Sequence, residues 1–415
     1  MKRLSDYRGI VDDSVIGEIY KKARKLYGRR ILNINSTFIG GGVAEILNNL
    51  VPLMNNAGVN ADWRILHGNP DLFEITKKFH NALQGDSINL TPMKKKLYIQ
   101  ANENFAAYAR INYDVVIIHD PQPLPLIEFY KKKQPWIWRC HVDLSHPNEK
   151  LWHFLKGFIL RYDLVVVSHE NYKKSDLPIA QRVIHPVIDP LSTKNIELSG
   201  RDISKYLHKF KIPVDRPLIT QISRFDKWKD PIGVLEVFKK VRDKADCRLV
   251  LCGSMAADDP EGVKIYERVK ARANNLIERG DVVLITFENN ILVNALQRSS
   301  AVVLQKSIRE GFGLTVTEAM WKRRPVVASN VGGIPLQIED GRDGYLLDPR
   351  DQAGFVDRIV EILKNPALAE EMGERAREKV RRGFLITRLI SDYLDMLNQE
   401  LLTNQMSDII NSTRR

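Results

Sequence analysis

Cysteine is scarce, with only Cys140, Cys247 and Cys252 in 415 residues, each in or beside an apolar run. So few thiols, without histidine partners at ligand spacing, exclude a disulfide framework and a zinc site and leave small buried hydrophobes. No apolar run reaches the roughly 18 residues that suggest a membrane span, so no membrane partner is expected. No apolar h-region follows the charges of Met1–Asp6, so a secretory signal is not expected and a cytoplasmic setting is. No Asp-x-Asp pair occurs in the chain. A site that uses neither metal nor cofactor is the expectation.

The chain has a surplus of positive charge, with 63 Lys and Arg against 51 Asp and Glu, a formal +12. Its basic groups (Arg29-Arg30, Lys94–Lys96, Lys131–Lys133, Arg323-Arg324, Arg381-Arg382) are scattered, and none lies in a recognisable RNA- or DNA-binding module. A solvated surface that attracts an anionic substrate accounts for the excess, and no nucleic-acid partner is expected. With 44% hydrophobic and 27% charged residues the chain is a folded protein. Its length fits two domains.

Short apolar runs alternate with helical patterns from the start. Asp13–Tyr27 spaces Ile16, Ile19, Tyr20 and Ala23 as a helix does, with Gly28 as its stop. Ile31–Ser36 reads as the first strand and runs into the Gly40-Gly41-Gly42 loop and a helix from Val43 to about Asn56. A glycine loop between strand and helix lets a ligand approach the backbone, but this one lacks the dinucleotide spacing. Further strands are expected at Ala61–Leu66, Val115–His119, Trp136–His141 and Leu164–Ser168. That alternation argues for an α/β fold, a parallel sheet covered on both faces. Ligands in such sheets bind beyond the carboxyl ends of the strands. There lie His119, Asp120 and Gln122, and then Arg139, His141 and Asp143, the last two a candidate donor–acceptor pair for a sugar hydroxyl or a developing charge.

Pro186–Pro217, with three further breakers between (Pro190, Gly200 and Pro213), reads as the domain crossing. The second half repeats strand, loop and helix: Leu218–Ile222, Arg248–Cys252, Val282–Thr286, Ala301–Gln305 and Pro325–Ala328. Asp230-Pro231 reads as an N-cap followed by proline at the first helical position, which puts Arg224 and Lys229 in the loop before that helix. A guanidinium fork and an ammonium there suit a diphosphate. Gly253, at another strand end, is a place where backbone can approach a nucleotide. The chain is expected to be mostly helical from Asp351 to Leu402, with a frayed tail at 403–415.

The chemistry concentrates in Ser307–Met320. An apolar strand leads into Glu310-Gly311-Phe312-Gly313, and a helix starts at Leu314-Thr315 and carries Glu318. Two glycines allow a sharp turn, and the helix N-terminus favours an anion. Carboxylates do not suit a phosphate, so Glu310 and Glu318 are expected to accept from hydroxyls beside it. An anion flanked by hydroxyls describes a nucleotide-sugar.

Glu310 and Glu318 around Gly-Phe-Gly, with Arg224, Lys229 and the first glycine loop, resemble the retaining GT-B glycosyltransferases of family 4. The stretches GGGVAE (40–45), HNALQG (80–85), HDPQ (119–122), WIWRCHVDLS (136–145), SRFDKWK (223–229) and SIREGFGLTVTEAMWK (307–322) are most similar to the trehalose-forming branch. The resemblance implies two Rossmann-like domains, 1–196 for the acceptor and 197–384 for the donor, facing a central cleft, with 385–415 crossing back to the first. It implies transfer of glucose from ADP-glucose or UDP-glucose to free glucose, with retention. Arg224 and Lys229 would hold the diphosphate, supported by the backbone of Gly311–Thr315. Glu310 would contact the transferred glucose and Glu318 the ribose. His141 joins the catalytic set, while Gly41, Gly42, His80, His119, Asp120, Gln122 and Asp143 would lie near the acceptor. The position after Lys229 is often glycine in this family and is Asp230 here. At 4 Å and an effective dielectric of 20 its carboxylate would repel a phosphate by roughly 4 kcal/mol, unless it turns to cap its own helix. No carboxylate stands out as a covalent nucleophile, so front-face transfer is expected, the leaving phosphate taking the acceptor's proton. Trehalose phosphorylase, a sucrose-type hexosyltransferase and a non-catalytic nucleotide-sugar sensor remain alternatives, and a homodimer is compatible with the sequence.

Overall fold

A computed structural model of the chain describes residues 2–38, 42–68, 70–253, 260–287 and 289–413, with backbone alone at 260, 261 and 405–413. The chain divides into two compact units, Met1–Val187 joined by Ile386–Arg415, and Ile188–Leu385.

The first unit contains β1 (Arg30–Asn35), β2 (Asn60–Ile65), β3 (Val115–His119), β4 (Trp136–Arg139), β5 (Leu164–Val167) and β6 (Ala180–Val183). They form one parallel sheet in the order β2-β1-β3-β4-β5-β6. Every residue of β3, β4 and β5 is buried, because helices cover both faces of a parallel sheet. Leu32, Ile34, Val116, Ile118, Trp136 and Trp138 share one core with the helices Pro70–Leu83, Pro92–Tyr108 and Glu149–Ile159. Parallel register gives the other residues of these strands to the opposite face: Asn33 pairs with Ile117, and His119 with Arg139. The strand order reverses between β1 and β3, where such sheets bind ligands.

The second unit contains β7 (Leu218–Ile222), β8 (Arg248–Cys252), β9 (Val282–Ile285), β10 (Ser300–Gln305), β11 (Val326–Ser329) and β12 (Tyr345–Leu347). Its parallel sheet runs β12-β11-β10-β7-β8-β9. This is the doubly wound order, with its switch point between β7 and β10. Helices bury one core on each face.

Three expectations change. The edge strands β6 and β12 join the expected ones: Gln181 and Arg182 interrupt the apolar pattern of β6, and β12 is only three residues long. Residues 188–196, expected with the first domain, belong to the second unit. Asn195 holds them there, accepting from Lys322 Nζ at 2.8 Å. Finally, the last helix runs Ile386–Thr413, beyond the expected end at Leu402, since neither Gly nor Pro occurs after Gly383 to stop it. That helix packs in the first unit, where Lys22 bonds Ser391 Oγ at 2.7 Å and Asp395 at 2.6 Å.

Candidate active site

At the switch point of the second sheet, the loops after β7 and β10 bring together three of the residues singled out by sequence. Asp226 Oδ1 accepts from the backbone of Trp228 at 2.9 Å and Lys229 at 3.1 Å. These bonds wind 227–229 into a single 3-10 turn. Gln221 fastens the turn to the sheet, giving its amide hydrogen to the Lys229 carbonyl at 2.8 Å and accepting from the Lys306 amide at 3.1 Å. The turn aims Lys229 Nζ at Glu310 Oε2, 2.6 Å away. Arg224 lies nearer solvent, its side chain 58% exposed against 17% for Lys229, with Asp226 3.5 Å from its guanidinium. The Lys229 ammonium, which has three hydrogens, can hold Glu310 and still donate elsewhere.

Asp230 does cap its helix. Its side chain accepts from the Gly233 amide at 3.0 Å, and its second oxygen pairs with the buried Lys306 ammonium. Its φ of +46° is left-handed, a conformation that glycine adopts freely and aspartate tolerates. The geometry explains both residue types at this position, and Lys306 neutralises the carboxylate charge beside Lys229.

Glu310 and Glu318 belong to one hydrogen-bonded network. Glu310 Oε2 also accepts from Gln305 Nε2 at 3.1 Å and Ser307 Oγ at 3.4 Å. Gln305 in turn accepts from Thr315 Oγ1 at 2.9 Å. The Thr315 carbonyl accepts from Gln297 Nε2 at 3.3 Å, and the same nitrogen is 3.5 Å from Glu318 Oε2. Gly313, at φ +84°, caps the helix Leu314–Trp321. The first amides of that helix point toward the loop without intrahelical acceptors. Gly311 and Phe312 form the turn, and the Phe312 carbonyl accepts from Gln337. At Gly253 a Cβ would collide with the Ser223 carbonyl, so the strand ends of β7 and β8 can meet only around glycine. Glu318 is buried, and Lys194 lies 3.3 Å from its Oε1. Its carboxylate does not stand alone waiting for a ribose.

In the first unit, His119 and His141 come together. His119 Nδ1 is 3.1 Å from His141 Nε2, and with ring centroids 5.5 Å apart and planes 16° from parallel the two rings lie edge to edge. Asp143, named with His141 as a candidate donor–acceptor pair for a sugar hydroxyl, accepts through Oδ1 from the Ser145 amide at 2.8 Å and hydroxyl at 2.6 Å. Asp120 takes a left-handed φ of +63° and accepts from the His141 amide at 2.7 Å. Burial lifts Asp120 to about 6, and burial with the Arg139 charge pushes His119 down to about 3. The same causes, with His119 itself, hold His141 well below the ordinary imidazole value. The Gln122 carbonyl accepts from Asn102 at 3.1 Å. His80 stands in the last turn of its helix, and Gly42 opens the helix Gly42–Asn56. Gly41 lies outside the described residues. Among the described residues no group of three or more His, Cys, Asp or Glu could hold a metal, and no helix is long and apolar enough to cross a membrane.

Residues 33–174 match the family described as "Trehalose synthase, N-terminal domain", and residues 202–379 match "Glycosyl transferases group 1". The trehalose synthase of Thermococcus litoralis is 47% identical over 96% of this chain and 97% of its own length. The chain belongs to the trehalose synthase family. A trehalose phosphorylase of Pleurotus pulmonarius is 29% identical, and the match spans 91% of this chain but 58% of that protein. A solved alpha,alpha-trehalose 6-phosphate synthase of Burkholderia multivorans superposes with a TM-score of 0.71, covering 92% of this chain and 99% of that one at 16% identity. That likeness carries the fold, the GT-B class.

Four residues of this trehalose synthase family member were missed by sequence reasoning. Asn33, Gln221 and Gln305 are polar positions inside otherwise apolar strands, a signal that was there to read. Lys194 lies in an irregular segment and gave none.

Proposed function

We propose that this member of the trehalose synthase family transfers glucose from a nucleoside diphosphate glucose to free glucose, forming trehalose with retention. The Lys229–Glu310 contact of 2.6 Å beside the Gly313 helix cap is the observation that carries the reading. It sets a cation where a diphosphate would be held next to a carboxylate suited to a sugar hydroxyl. Arg224, exposed on the same loop, adds a bidentate fork for the leaving group. The front-face route follows: the departing phosphate oxygen takes the proton of the attacking hydroxyl, and the two cations stabilise the charge that develops on it. The 47% identity to a synthase, against 29% to a phosphorylase, favours a nucleotide-activated donor over phosphorolysis. Three free buried cysteines fit a reducing cytoplasm.

The test is to incubate the full chain with glucose and either ADP-glucose or UDP-glucose, with and without a chelator, and to follow disaccharide and free nucleotide together. Equal amounts of α,α-trehalose and nucleoside diphosphate are expected, unchanged by the chelator. A product formed only from glucose 1-phosphate would overturn the donor. Loss of activity to the chelator with recovery on adding a divalent metal would overturn the metal-free site.

A further inference from the structure

The histidine pair of the first unit is held by a chain of hydrogen bonds that permits one assignment of protons. It starts at the Asp62 carbonyl, 3.3 Å from Asn33 Nδ2. A carbonyl only accepts, so the Asn33 nitrogen must face it and the Asn33 oxygen must face away. That oxygen lies 3.1 Å from His119 Nε2. It too can only accept, so His119 carries its proton on Nε2. A neutral imidazole protonated there has a bare Nδ1, and this atom meets His141 Nε2 at 3.1 Å. The hydrogen between the rings therefore belongs to His141 Nε2. The remaining nitrogen, His141 Nδ1, is left with a lone pair. Among the described residues it has no hydrogen-bond partner.

We infer that Asn33 and His119 are positioning residues that lock His141 in its Nε2–H tautomer, so that its Nδ1 is presented as an acceptor for a hydroxyl of the substrate. Both are buried, on the β1 and β3 strands that flank the switch point of the first sheet. The charged groups around the pair favour the neutral rings this requires: Arg139 repels added positive charge, and Asp120, the nearby acid, accepts from the His141 backbone rather than its ring. The backbone bond fixes where His141 stands, and the His119 bond fixes which way its ring faces. The tautomer follows from the structure alone. Its kinetic consequence rests on the reading that glucose binds in front of His141.

Two measurements separate these parts. In protein labelled with ¹⁵N-histidine, ring spectra at neutral pH should show both residues with hydrogen on Nε2 and a bare Nδ1, assigned by loss of the signals in His119→Gln and His141→Gln. Hydrogen on His141 Nδ1 would overturn the inference, and this holds whatever the enzyme's substrate proves to be. In kinetics, His119→Leu removes the acceptor for His141, whereas His119→Gln can donate to Asn33 and accept from His141 as the imidazole does. His119→Leu should raise KM for glucose at least about tenfold, the loss of one hydrogen bond to a ligand, with nucleoside diphosphate affinity unchanged. His119→Gln should restore most of it. Equal defects in the two variants, with His141 still protonated on Nε2 in both, would show that His119 serves packing alone and would overturn the positioning role.

Discussion

Asp230 turns its carboxylate away from the Arg224–Lys229 loop and onto Lys306, a lysine with only 2% of its side chain exposed. The pair lets a carboxylate occupy a left-handed position next to Lys229. One oxygen caps the following helix and the other neutralises a cation that could not otherwise be buried.

Breaking that pair from either side should be costly. Lys306→Met leaves Asp230 charged beside the loop, and Asp230→Ala leaves Lys306 buried without its anion. Each should lower stability by about 3–5 kcal/mol. The double variant should recover part of the loss, giving a coupling energy above about 1 kcal/mol by urea unfolding. Simple addition of the two losses would mean that the contact is unimportant.

Arg224 and Glu310 should fail in different ways. Arg224 is exposed, so Arg224→Ala should leave the melting temperature unchanged and weaken nucleoside diphosphate about tenfold or more by calorimetry, the value of a charge-assisted hydrogen bond. Glu310→Gln keeps an acceptor for the Lys229 ammonium but loses the charge that we propose faces the sugar. Turnover should fall by about two orders of magnitude or more while nucleoside diphosphate still binds. Normal turnover in Glu310→Gln would remove the residue from the chemistry.

The buried histidines give stability a defined slope with pH. Unfolded, His119 takes a proton below about 6.5, whereas folded it resists until about 3. The unfolded chain therefore binds more protons in that window, and stability falls as pH drops through it. His141, also held low, adds to the loss. Asp120 opposes it: with its folded value raised to about 6, it binds its proton first in the native state and favours folding as pH falls from there to about 4. Two histidines outweigh one carboxyl, so the net change is a loss. His119→Gln should flatten the slope, losing about 2 kcal/mol less than the wild type between neutral pH and pH 5. Parallel curves for the two proteins would contradict the buried neutral ring.

The strand ends where the candidate residues sit were legible because an apolar run followed by glycine or a polar cluster marks them whatever the tertiary fold. Asp230 shows how far this goes. Its role as a cap could be read from the proline after it, but Lys306, 76 residues on, could not be named as its partner. The spacing that puts His141 and Asp143 at one strand end says nothing of His119, which parallel register on the next strand sets beside His141.

Local sequence determined the repeated strand–loop–helix units, the loops with their cations and glycines, and the absence of a membrane-length apolar run. These depend on periodicity and backbone freedom over a few residues, which the chain carries in itself. Tertiary structure alone decided that Lys229 meets Glu310, that Lys194 meets Glu318, and that a buried asparagine dictates where two histidines carry their hydrogens. Each of those contacts joins residues tens of positions apart, and only the order in which strands assemble brings such residues within a hydrogen bond of one another.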